Sequence, residues 1–400
     1  MPSDSPAIAH PPGWLGKAAL ILTGAMSGVG NGTLSPILPQ IETEFGQTGG
    51  AVTVTMALTV FGLGILLGSL IGGWLADRIG RRAVMVGAGV LFGLAGCGVM
   101  FADALEHVVF GRFGAGIASG AMGAAAFAVI GDSWDEAGRN LWSGLVTALG
   151  AFAAMTLSIV ASAIADNGWR DSFIIYAIGF FAAACALTGI VGLRRGREAQ
   201  VHGTIPLGIV PGLVVFGLLA GGIATGTAAY LPHRFVEAGL TTSTGRAIYS
   251  LSGAATVMIV SFAYGWIRRF IGLETAFVGA AVLSCAGLTL MAFGQSPVLI
   301  SAGLGLEGMG LGLLIPSLMI YAINLSTPDN RGRMVGLVKG AVFGGPFLIQ
   351  FALDPIRLAQ GAPAVLLILA AGAAGLAVWF AVKAVRARQP QLAGAPGVPG

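Results

Sequence analysis

Gly73-Trp74-Leu75-Ala76-Asp77-Arg78-Ile79-Gly80-Arg81-Arg82 closes one long apolar run and opens the next. Its outline returns 192 positions later as Gly265-Trp266-Ile267 followed by Ile271-Gly272. At the same displacement Gly111, Gly116 and Gly120 meet Gly303, Gly308 and Gly312. Arg139 with Gly144-Leu145-Val146 meets Arg331 with Gly336-Leu337-Val338. One further residue of shift aligns Leu38-Pro39, Glu44 and Gly46 with Leu231-Pro232, Glu237 and Gly239. A lone glycine match among 65 glycines would carry no information, but an ordered series that includes Trp, Pro and Arg does. The chain reads as a duplicated unit.

Composition says which solvent surrounds the copies. Of 400 residues, 56% are hydrophobic and only 10% charged, and mean hydropathy is +0.86. A water-exposed surface usually needs about 25% charged residues, so lipid is the expected solvent. About 20 apolar residues cross a bilayer as a helix. Twelve such runs are expected, near 18–40, 51–75, 83–102, 108–131, 141–164, 172–193, 205–231, 246–267, 275–294, 297–323, 334–353 and 363–385. The dispersed glycines fit bilayer helices, whose backbones approach closely at small residues. Gly64, Gly68 and Gly72 share one helix face and predict such a seam. Cys97, Cys185 and Cys285 fall inside separate runs, as packing residues. The first run is too long for a cleaved leader and is expected to insert uncleaved.

Charge placement gives an orientation. With the N-terminus in the cytoplasm, fifteen of the 21 basic residues fall on the cytoplasmic side. These are Lys17, Arg78, Arg81, Arg82, Arg139, Arg194, Arg195, Arg197, Arg268, Arg269, Arg331, Arg333, Lys383, Arg386 and Arg388. The other side receives Arg170, Arg234, Arg246 and Arg357, while Arg112 and Lys339 lie within spans. That asymmetry predicts both termini inside. It also accounts for the basic balance without a nucleic-acid partner. Six of the seven Trp residues sit near span ends, Trp169 among them, where indole favours the interface.

The quoted stretch resembles the signature of the major facilitator superfamily, Gly-x-x-x-Asp-Arg-x-Gly-Arg-Arg/Lys, at every defined position. The resemblance implies an all-α membrane fold of twelve transmembrane helices in two six-helix pseudo-symmetric halves. Parallel six-span repeats are one architecture of secondary transporters. It further implies that Gly73, Asp77, Arg78, Gly80, Arg81 and Arg82 form a conformational latch, with the Asp77 carboxylate at the N-terminal end of span eleven. In the second copy Arg269 and Phe270 replace the Asp-Arg pair, so that loop is expected to keep the bend and lose the latch. Arg112-Phe113-Gly114-Ala115-Gly116 resembles the family's Arg-x-x-Gln-Gly element with Ala115 in place of Gln, and the resemblance implies a role for Arg112 in proton coupling. The alternative for Arg112 is snorkelling to the outer surface. The span-five antiporter motif is poor: Gly144 and Gly150 remain, and its Pro is absent.

Glu307 lies ten residues into span ten, about 15 Å deep. Low-dielectric surroundings favour the neutral form of a carboxyl, which then exchanges a proton when water reaches it. The equivalent residue in the first copy is Ala115, so this acid is an addition to the shared scaffold. Lys339, five residues into span eleven, either pairs with Glu307 or snorkels. Asn31 is a pathway candidate or helix-to-helix glue, and Tyr321, Asn324 and Gln350 are further candidates.

Other classes lack their chemistry. There is no phosphate-binding Gly-x-x-x-x-Gly-Lys-Ser/Thr loop, and His10, His107, His202 and His233 are scattered without metal-ligand spacing. No cofactor, metal, nucleic-acid partner or enzymatic activity is expected. The expected organisation is a first half over 1–193, a cytoplasmic linker over 194–204, a second half over 205–388 and a disordered cytoplasmic tail over 389–400. The expected function is proton-coupled efflux of a small organic solute by alternating access, by a monomer in the lipid bilayer of the inner (plasma) membrane. An uptake permease for a small organic anion or nutrient is the alternative.

Overall fold

A computed structural model describes residues 11–46, 53–190, 210–325 and 331–393. The expected linker 194–204 and the end of the chain from 394 lie outside the described residues. The described residues hold helices and turns and no strand. The helices are α1 (Trp14–Gly32), α2 (Leu38–Phe45), α3 (Val54–Ile79), α4 (Arg81–Gly98), α5 (Leu105–Ser133), α6 (Glu136–Ala165) and α7 (Ile178–Gly189). They continue as α8 (Val210–Glu237), α9 (Ser243–Ile267), α10 (Leu273–Phe293), α11 (Pro297–Asn324), α12 (Arg331–Gln360) and α13 (Ala362–Ala393). Ten helical segments among the described residues are long and apolar enough to cross a membrane. Helices α1 and α12, which carry more polar residues, complete the set of twelve.

Two compact units emerge. The first holds 1–200 with Thr242–Ala247, and the second holds Val201–Thr241 with 248–400. In the first unit α3 packs most closely on α5, while α1 lies against α6 and α7. The glycine stripe explains the closeness. A Cβ on Gly64 would stand 2.6 Å from the Phe113 carbonyl oxygen, and one on Gly68 or Gly72 would meet the backbone of Ile117 or Ala121. In the second unit α10 packs on α11 and α13, and α8 on α12. At the equivalent of the stripe α9 carries Thr256, Val260 and Tyr264. There Ser252 donates to the Ser301 carbonyl at 2.8 Å, and Ser301 donates to that of Tyr249 at 2.8 Å. The seam survived duplication, and its chemistry changed.

Several boundaries differ from expectation for identifiable reasons. The first run is broken after Gly32: a 3-10 turn over Ser35–Ile37 holds Pro36, and the short α2 follows. The sharp turn of the quoted stretch lies at Gly80, where φ is +94° and ψ 148°, and Gly73 is an interior residue of α3. The second copy bends differently. After Ile267 the chain takes Arg268 to Ile271 to turn, and Gly272 has an ordinary φ of −69°. The second copy therefore keeps a bend of another construction. Arg234, Arg246 and Arg357, counted among loop charges, are buried. So is Trp169, which donates its indole N–H to Glu44 at 2.7 Å instead of facing the membrane interface.

Candidate functional site

The second unit contains the candidate with the clearest chemistry. Glu307 is 1% exposed in α11. Gly287 and Gly303 bring α10 close beside it: a Cβ on Gly287 would stand 2.5 Å from the Glu307 amide nitrogen. Across from it on α8, Thr227 donates its hydroxyl to Glu307 Oε1 at 2.6 Å. The same hydroxyl lies 3.4 Å from the Ile223 carbonyl oxygen, one turn back on its own helix. One turn towards the end of α8, the Tyr230 hydroxyl donates to Asp354 Oδ1 at 3.2 Å. Tyr230, Gln350, Asp354 and Arg357 are all buried.

Asp354 and Tyr230 were not foreseen. The expected eleventh span stopped at residue 353, one residue short of Asp354. In fact α12 carries Pro346 and Pro355 inside and runs to Gln360. A continued helix with two prolines leaves only polarity as a signal, and Gln350, Asp354 and Arg357 at four- and three-residue spacing were that signal.

Arg112 in the first unit is fully buried in α5, which excludes snorkelling. Its Nε donates to the Ala57 carbonyl on α3 at 3.0 Å, and Nη1 donates to the Tyr176 hydroxyl. The guanidinium stands 4.5 Å over the Phe61 ring, and Tyr176 stacks between Phe92 and Phe173. Nη2 has no hydrogen-bond partner among the described residues. The cation is thus held by carbonyl, phenol and ring faces.

The quoted loop is also assembled within the first unit. Arg81 Nε stands 2.9 Å from Asp132 Oδ2 at the end of α5. No aligned hydrogen bond accompanies this approach, so the contact is an ion pair and chiefly coulombic. Arg78 stacks 3.9 Å over Trp74. The side chains of Asp77, Asn31 and Lys339 lie outside what the structure describes, although their helices α3, α1 and α12 are placed. The equivalents of Arg81 and Asp132 in the second copy are Leu273 and Asn324, so this ion pair belongs to the first copy alone. No group of three or more metal-ligating side chains occurs among the described residues.

Residues 20–349 match the sequence model of the Major Facilitator Superfamily. The chain belongs to this superfamily. It is a multi-pass membrane protein of a transporter family. Among its relatives, the multidrug transporter MdfA of Escherichia coli O6:H1 is 25% identical over 331 residues, covering 70% of this chain and 80% of MdfA. The 3-(3-hydroxy-phenyl)propionate transporter of Escherichia coli K12 is 24% identical over 300 residues, covering 74% of this chain and 67% of the relative. A chloramphenicol resistance protein of Pseudomonas aeruginosa is 30% identical over 155 residues, and that match spans 36% of the relative's length. The fold also matches a solved mutant of the nucleoside transporter NupG with a TM-score of 0.78. That match has 12% identity and covers 92% of this chain and 99% of NupG, a likeness of fold. The superfamily fold places the transporter's twelve membrane helices in two halves.

Proposed function

We propose that this transporter exports a small organic solute in exchange for protons, with Glu307 carrying the coupled proton. The observation that carries this reading is the double role open to Thr227. When Glu307 is ionised, the Thr227 hydroxyl donates to it at 2.6 Å. When Glu307 is neutral, its own proton points to Thr227 Oγ1, and the threonine hydrogen turns to the Ile223 oxygen at 3.4 Å. Both protonation states keep a hydrogen bond, so neither carries the full cost of an unmade buried contact, about 1–3 kcal/mol. An intramembrane acid with that freedom is suited to coupling.

Export is supported by the names of two relatives, a multidrug transporter and a chloramphenicol resistance protein. The solute crosses by rocking of one half against the other, the segment from Gly73 to Arg82 at the α3–α4 junction acting as a latch whose Arg81 is anchored on Asp132. The basic loops support a topology with both termini in the cytoplasm, and the reading takes the protein as a monomer in the inner membrane. A second reading is uptake of a small organic anion. It is favoured by Arg112, a buried cation with no carboxylate bonded to it among the described residues, and by the phenylpropionate transporter among the relatives.

Fluxes of a compound panel into proteoliposomes, with a pH gradient imposed in each direction, separate these readings. Chloramphenicol represents neutral drugs and 3-(3-hydroxyphenyl)propionate represents organic anions. Accumulation against the direction of proton flow is expected for export. Accumulation along it would establish the second reading, and indifference to either gradient would contradict proton coupling.

A further inference from the structure

The second unit holds a column of polar side chains that leads from its end to Glu307. Helix α8 ends at Glu237, whose Oε1 accepts from the Ala362 amide at the start of α13 at 3.3 Å. Three residues back, Arg234 donates to Glu237 at 3.3 Å, to the Met291 carbonyl at 3.2 Å and to the Gly294 carbonyl. At 1.5 Å per residue, Tyr230 lies about 10 Å from the end of α8 and Thr227 about 15 Å. Asp354 lies about 9 Å from the end of α12 at Gln360, level with Tyr230, and Glu307 about 15 Å from the start of α11, level with Thr227. Polar groups therefore recur at steps of roughly 5 Å, one helical turn.

Comparison with the first copy removes the bland explanation that the column is inherited scaffold. The positions equivalent to Thr227, Tyr230, Arg234, Glu307 and Arg357 are Leu34, Ile37, Ile41, Ala115 and Ala165. All five are apolar and at most 1% exposed. Asp354 corresponds to Ser162, also buried. The same fold packs these six positions without a charge. In the second copy, three helices (α8, α11 and α12) each acquired the polar side chains that meet in this column. Burying them costs free energy that packing alone does not require.

We propose that Asp354, Tyr230 and Thr227 form a proton relay through the second unit, joining its α8–α12 end to Glu307. This rests on the proton-coupled reading above. A proton from water at the end of the unit binds the Asp354 carboxylate. Transfer inward proceeds along the hydroxyls: Tyr230 takes the proton from Asp354 as it releases its own, and Thr227 does the same towards Glu307. The relay requires one water molecule to span the turn between the two hydroxyls. Asp354 returns to its anion and Glu307 becomes neutral, so one proton has moved and no charge has been created. The charged groups facing this column are Arg234 and Glu237 from α8, Arg357 from α12 and Glu307 from α11. Helix α13 presents no titratable residue between Ala362 and Val382, and α10 presents only Cys285 between Thr275 and Phe293.

The test needs protons alone and no solute. Full-length protein in liposomes is subjected to a rapid pH jump, and carboxyl infrared bands are followed in wild type, Glu307→Gln, Asp354→Asn and Tyr230→Phe. Two pH-dependent carboxyl signals are expected, one lost in each carboxyl variant. The Glu307 signal should relax at least ten times more slowly in Asp354→Asn, and more slowly than wild type in Tyr230→Phe. The latter variant leaves both acids in place should Asp354→Asn fail to fold. Wild-type relaxation of the Glu307 signal in either variant, or no signal from Asp354, overturns the relay while leaving Glu307 as the coupling acid. A Glu307 that never titrates, beside an Asp354 that does, overturns the coupling reading and removes the relay's destination with it.

Discussion

Glu44 holds two donors at once, the Arg170 guanidinium at 2.6 Å and the Trp169 indole at 2.7 Å. Arg170 also donates to the Ala102 carbonyl at 2.8 Å, tying the end of α2 to two loops of the first unit. The Arg170 hydrogen bond first, and that of Trp169 second, hold the Glu44 carboxyl below the usual carboxylate range. A depressed value means that the folded state favours the anion. The stabilisation is therefore present at neutral pH and disappears as pH falls through the depressed folded-state value. Because the carboxylate is 42% exposed, solvent screening keeps the contribution to about 1 kcal/mol or less. Glu44→Gln should lower the apparent melting temperature at pH 7, and the gap should close as pH falls through the folded-state value of Glu44. A gap independent of pH would assign the effect to packing. Glu307 and Arg112 were legible as single residues because a charge in an apolar run has no ordinary reason to be there. Their partners were not. Thr227 and Tyr176 are ordinary letters whose value arises only when helices remote in sequence meet.

The same element can carry glycines of opposite meaning, and α3 does. Gly68 has no room for a Cβ because the Ile117 backbone of α5 occupies the position. Gly73 faces open space, with nothing within 4 Å of a Cβ. Gly80 has equally open space but a φ of +94°, which a side chain rarely adopts. Gly73→Ala should be neutral or slightly stabilising, since alanine is the better helix former by about 1 kcal/mol. Gly80→Ala should cost on the order of 1–3 kcal/mol through backbone strain, and Gly68→Ala should force α3 away from α5. Thermal unfolding in one detergent ranks the three. A Gly73→Ala loss equal to that of Gly80→Ala would contradict the placement of the turn. The sequence pattern located the seam and the loop, since four-residue spacing and a basic cluster are local signals. It ended the second span at residue 75, four residues early, because Asp77 and Arg78 leave the apolar run while the helix continues to Ile79. It also ended the eleventh span at residue 353, although α12 continues to Gln360, because the stretch with Asp354 and Arg357 is no longer apolar.

Duplication and charge asymmetry are properties of the whole chain, and they made the twelve-helix superfamily fold legible before any coordinate. What they could not contain is how the two copies diverged. Divergence is chemical: the first unit keeps the Arg81–Asp132 pair and Arg112, and the second acquires Glu307 and the polar column of α8 and α12. A transporter whose halves share packing but differ in buried charge can give each half a separate task, and coupling is assigned here to the second. Arg112 then serves the first half as a cation with no carboxylate bonded to it among the described residues, a setting that the organic-anion reading would use directly. The most direct measurement of the central claim compares wild type with Glu307→Gln in proteoliposomes, for the solute that the flux panel identifies. Glu307→Gln should abolish accumulation driven by a pH gradient while solute exchange at equal pH persists; retained gradient-driven accumulation would contradict the account.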